Sequence, residues 1–212
     1  MLRLSYTLPN LVAGHRGPMV EGRRLPQAVY FRQGDLDSAC GQHCVLMALI
    51  ALGIFDRRKL ILSLPRRATA AGRLWSRYVD WYFKGTEASD LAEAIGEAGL
   101  HVRTEVCEGA AHRVSAFAVR HLRRGRPVVV GVFGPSLDHF VLTVGVEGVW
   151  NGRFTPTALL AIDPWKDAPV ISVWNARIEL PRGRSRLRSI RFINRTERLV
   201  AIGSAVALWR SG

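Results

Sequence analysis

Lysine is almost missing from this basic sequence. Only Lys59, Lys84 and Lys166 stand among 30 basic residues, so the net charge of +13 rests on 27 arginines. A charge of that size ordinarily points to nucleic acid or an anionic surface. Here the basic residues gather in local clusters at 57–59, 66–67, 120–126 and 182–191, none interleaved with aromatics as a base-stacking platform requires. Nucleic acid is therefore disfavoured as the primary partner, and the basic surface suits solvent or an acidic protein partner. Paired cysteines are lacking too. Cys40, Cys44 and Cys107 make an odd set that excludes a disulfide framework and fits a reducing compartment. Cys40, His43 and Cys44 supply three ligands at most with no second cluster, so zinc is not expected.

Long apolar runs are scarce. The longest, residues 44–54, is about half a bilayer span, so no membrane span is expected. Residues 1–18 hold Arg3, Asn10 and His15 and no apolar stretch leading to a small-residue cleavage site. A cytoplasmic protein is the expectation, with secretion lacking a cleavable signal left open. Repeats, low-complexity tracts and linkers are also missing. With 212 residues and 48% apolar composition, one domain over 1–212 is expected. Within it, 1–25 reads as an N-terminal extension, 26–175 as the core, and 176–212 as a basic C-terminal extension with a closing strand.

What is present is clear punctuation. Residues 26–32 form a short β-prone run before a polar turn at 33–37. Ser38 offers an N-cap for a helix over 39–52, ended by Gly53, with Leu46, Leu49 and Ile50 on its core face. Further helices are expected at 73–83 (Gly85 beyond), from Thr86 to Gly99, and at 114–124 before Gly125. Residues 101–107 alternate like a strand. Strands are then expected at 127–133, 139–147, 157–162, 169–174 and 199–209. Helices first and antiparallel strands later indicate an α+β fold.

Three local features carry chemistry. Cys40 opens an apolar helix, where backbone N–H groups and the positive dipole end favour a thiolate, the nucleophilic form. Gly41 leaves room beside the sulfur, and Gln33 upstream can set its amide beside the Cys40 N–H as an oxyanion donor pair. Cys44, one turn deeper, reads as core packing. His139 opens a buried strand, which puts its ring at the end of the sheet. Asp163 ends the next apolar strand, in A-I-D-P-W. If those strands pair as a hairpin, Asp163 returns to His139 and accepts the Nδ1 proton.

A cysteine at a helix start after an upstream Gln, a D-H-F-V-L strand and an A-I-D-P strand end together resemble the papain-like cysteine peptidase superfamily. The pattern is most similar to the bacteriocin-processing, double-glycine leader peptidases in a stand-alone form. The similarity spans about residues 27–175. It implies an N-terminal helical lobe whose nucleophile helix packs on a C-terminal antiparallel β lobe, with a cleft between. It also implies Cys40 as nucleophile, His139 as base, Asp163 as third member and Gln33 as oxyanion residue. Gln33 stands one position further from Cys40 than is usual in the family. The activity implied is hydrolysis of a peptide or isopeptide bond in a peptide or protein substrate, without metal or organic cofactor. An acyl transferase using the same triad, or a degenerate binding module, are the alternatives.

Overall fold

The computed structural model describes residues 2–22, 25–35, 37–135, 137–181 and 190–212. Its N-terminal part supplies β1 (Leu2–Thr7) and a small three-stranded sheet of β2 (Val12–Gly14), β3 (Gly17–Val20) and β4 (Gln27–Ala28). Helices α1 (Cys40–Ala51), α2 (Arg57–Ser63), α3 (Ala70–Val79) and α4 (Ala88–Glu97) follow, then β5 (Val102–Glu108) and α5 (Ala111–Leu122). Strands complete the chain: β6 (Val128–Gly134), β7 (Leu137–Trp150), β8 (Phe154–Ile162), β9 (Ala176–Glu179), β10 (Ile190–Ile193) and β11 (Glu197–Arg210).

Strands β7, β6, β11, β10, β9 and β8 pair in that order, and β8 pairs back to β7. Six antiparallel strands therefore close on themselves, with β1 alongside β7 and β5 alongside β11. Strands hold 37% of the described residues and the five helices 26%. This corrects the expected papain-like α+β fold: a closed barrel stands where a helical lobe facing an open β lobe was expected. The difference lies in β9 and β10. Each has four residues, two of them buried (Ala176 and Ile178, Ile190 and Phe192), too little pattern to read as strands. They nevertheless link β11 to β8 and so close the ring.

Closure also needs strands that bend. β7 and β11 each run 14 residues, with register shifts at Thr143/Gly145, Glu147/Gly148 and Ile202/Ser204. Such bulges raise the local twist and let a long strand turn the corner of a barrel. At the first of them, a side chain on Gly145 would meet the Tyr6 carbonyl at 2.5 Å, so glycine lets β1 lie against β7. β6 is β-branched and apolar without alternation and buried over Val128–Val132, as a strand covered on both faces must be.

α1 lies against β7 and β6 on one side and α4 on the other, which buries it all round except at His43. The expected face of Leu46, Leu49 and Ile50 is inside, but so are Val45, Met47 and Ala48. Gly41 does not open space for substrate: a Cβ there would touch Leu91 and the Thr86 hydroxyl at 3.0 Å, so it allows close packing on α4. Ser38 does not cap α1 either. The cap position is Ala39, whose N–H donates to Asp37 Oδ1 at 3.1 Å.

Elsewhere α2 was missed because its apolar Ile61 and Leu62 are exposed and only Leu60 is buried. Its cap is an ordinary one, Asp56 accepting from Lys59 N. The run 169–174 has strand composition but forms bends, with Ile171 95% exposed and, among the described residues, no partner strand to make that composition count. The C-terminal segment is no appendage. β11 sits between β6 and β10, while the arginine-rich stretch 182–189 lies outside the described residues. No helix among the described residues is long and apolar enough to cross a membrane.

Candidate active site

The hairpin of β7 and β8 brings the two strand ends together, Leu142 opposite Ile162. His139 Nε2 consequently lies 2.8 Å from Asp163 Oδ1, in a pair that is 5% exposed on the histidine and closed to solvent on the aspartate. The expected nitrogen was Nδ1. The ring instead gives Nε2 to the carboxylate and leaves Nδ1 for a second partner. Cys40 lies close enough to the ring to raise its pKa together with Asp163.

Strand β7 also fixes the sulfur directly. The Phe140 N–H, next in sequence to His139, donates to Cys40 Sγ at 3.3 Å. The Cys44 thiol donates to the Phe140 carbonyl at 3.5 Å. Cys44 is wholly buried, and burial pushes its thiol well above the ordinary value, with the nearby Cys40 and Asp163 adding to the rise. It stays protonated and packs, as the sequence indicated.

The pair is electrostatically biased toward charge separation. Burial pushes His139 down, but the hydrogen bond to Asp163 and the contact with Cys40 outweigh it and lift the ring to about 9. For Asp163, burial acts upward and is overcome by His139, by Asn194 and by the Trp165 backbone, so its carboxyl lies below the usual range. An imidazolium between a carboxylate and a sulfur is what these shifts describe.

Several groups that hold this arrangement were not identified from sequence. Asn194, in the turn between β10 and β11, donates through Nδ2 to Asp163 Oδ2 at 2.9 Å while its Oδ1 accepts from Thr196. As a sequence feature it is an ordinary turn asparagine. The Trp165 N–H donates to Asp163 Oδ1 at 2.8 Å, and its indole lies 6.0 Å from the His139 ring, covering the pair. Asn175 accepts from the Asp163 N–H at 2.6 Å and returns a bond to its carbonyl at 3.0 Å. The motif A-I-D-P-W contained Trp165; nothing in the sequence joined Asn175 or Asn194 to it.

Cys40, His139 and Gln33 all line one cleft of about 320 Å³, rimmed by Asp35, Asp138, Lys84 and Thr86. Gln33 is thus brought to the site despite its longer spacing. Its Nε2 donates to the Asp37 carbonyl at 2.7 Å, which uses one of its two amide hydrogens. Asp37 in turn accepts from Gly34 N, Ala39 N and Tyr82 Oη, so the loop before α1 is tied to itself. The other hydrogen of Gln33 Nε2 and the N–H groups of the first turn of α1 are the donors an oxyanion would meet. His43 is not part of the chemistry: its Nδ1 bonds back to the Ala39 carbonyl at 2.7 Å. No protein-family model matches this chain, and no curated protein matches it.

Proposed function

We propose that the protein is a cysteine peptidase that hydrolyses a peptide or isopeptide bond in a peptide or protein substrate. One observation carries the reading: a buried aspartate–histidine pair at 2.8 Å whose ring also meets a cysteine at a helix start, in an open cleft. His139 takes the Cys40 proton as the sulfur attacks the substrate carbonyl carbon. The negative charge passes to the carbonyl oxygen, met by the Cys40 N–H and Gln33 Nε2. The imidazolium then gives its Nδ1 proton to the leaving amine, and the C–N bond breaks to leave a thioester. A water molecule loses a proton to Nδ1 and attacks the thioester, and the sulfur departs to restore the pair. Asp163 holds Nε2 throughout and so fixes which nitrogen does this work. The motif resemblance to double-glycine leader peptidases adds small residues beside the cleaved bond as the preferred substrate.

The test is labelling with an iodoacetamide-alkyne probe at pH 7, followed by mass spectrometry of products from a peptide library. Cys40 should label faster than the more exposed Cys107, and Cys40→Ala should abolish both that labelling and peptide cleavage. Cleavage that survives Cys40→Ala would sink the assignment. Amide exchange onto an added amine, without hydrolysis, would reassign the chain as an acyl transferase.

A further inference from the structure

A second concavity, larger at about 590 Å³, lies away from the thiol. One wall is the outward face of α5, and the other is Pro156 in β8 with Leu180 and Pro181 after β9. Pro156 sits opposite Gly148, toward the far end of the hairpin whose near end carries His139 and Asp163. Seven residues separate Pro156 from Asp163, on the order of 20 Å at strand spacing, so this groove is distinct from the cleft.

Its lining has two characters. Ala116, Val119 and Leu180 make an apolar floor, while Arg123 and Arg124 at one end have no carboxylate partner among the described residues. Ser115 lines the same groove. It is 6% exposed, and its hydroxyl has no hydrogen-bond partner in the described structure. From His112 to Arg124 the α5 wall and its end run about 18 Å, the length of five or six residues of extended chain. No Phe, Tyr or Trp among the described residues lines the groove, so these residues offer no surface on which a nucleic-acid base would stack.

We infer that this groove binds an acidic peptide segment, its apolar residues against Val119 and Leu180 and its carboxylates at Arg123 and Arg124. The inference is independent of whether Cys40 is catalytic. It is tested by fluorescence anisotropy with a labelled hexapeptide, DLEELD, on the Cys40→Ala chain, which cannot turn the peptide over. Saturable binding is expected, weakened at least tenfold by Arg123→Ser with Arg124→Ser. Ala116→Trp, at an exposed helix position, should fill the groove and weaken binding as much with the fold retained by circular dichroism. Arg66→Ser with Arg67→Ser removes equal charge elsewhere and should change binding less than twofold. Equal loss in that control, no binding at millimolar protein, or tighter competing binding of a twelve-base oligothymidylate would each overturn the assignment.

Discussion

Replacing Asp163 by asparagine keeps the shape of the site and removes the charge that holds His139 protonated. The ring is lifted from an ordinary 6.5 to about 9, and Asp163 contributes more to that rise than Cys40 does. The rise from 6.5 to about 9, at 1.36 kcal/mol per pH unit, is on the order of 3 kcal/mol, and the aspartate supplies the larger part of it. Because the folded value is raised, this stability is fully present below pH 6.5 and is lost as pH climbs through about 9. In the variant, burial still pushes the ring down while Cys40 still raises it, so its midpoint should fall well below 9. Long-range proton–nitrogen NMR reads the midpoint directly, with His139→Gln identifying the signal among six histidines. Urea unfolding at pH 6 and pH 9.5 reads the energy: a loss of up to about 3 kcal/mol at the first and much less at the second. A wild-type midpoint at or below 6.5, or equal losses at both pH values, would refute the charge-separated pair.

Other outcomes follow from the same geometry. If the imidazolium protonates the leaving amine, kcat/KM should fall with pH through about 9, and Asp163→Asn should move that limb down. Asn194→Ala deletes a hydrogen bond to a buried carboxylate, a loss of about 1.5–3 kcal/mol in the contact. Asp163 should then hold the ring less firmly, lowering kcat and the His139 midpoint together while KM changes little. Gln33→Ala should lower kcat by about 10²-fold with KM little changed, as loss of one oxyanion donor does. A fall of less than threefold would leave the backbone of α1 as the sole donor.

The candidate site was more legible than the architecture around it, and the reasons are local. Cys40 is marked by a polar loop turning into an apolar helix, and His139 and Asp163 by sitting at the ends of long buried strands. Hairpin pairing then brings those ends together without further information. The closing strands carry no such mark: Ala176–Glu179 and Ile190–Ile193 each bury two side chains, and only their neighbours make them strands. β1 is exposed at nearly every position, so its pairing with β7 leaves no apolar stripe in the sequence. Residues 169–174 show the converse, β-branched composition without a partner. The choice of ring nitrogen was equally invisible, since it depends on which side of the ring each neighbour reaches. Asn194 lies 31 positions beyond Asp163, and its role exists only because the barrel closes.

That closure has a consequence for how the protein comes into being. β11 lies between β6 and β10, so the ring has a gap until residues 197–210 are available to fill it. Asn194 stands just ahead of them. On the ribosome, Cys40, His139 and Asp163 all emerge well before the strand that completes their scaffold, and pairings of such long separation form late. A nascent chain therefore carries Cys40, His139 and Asp163 without the finished barrel that positions them. The site is assembled only once the strand at 197–210 has joined β6 to β10.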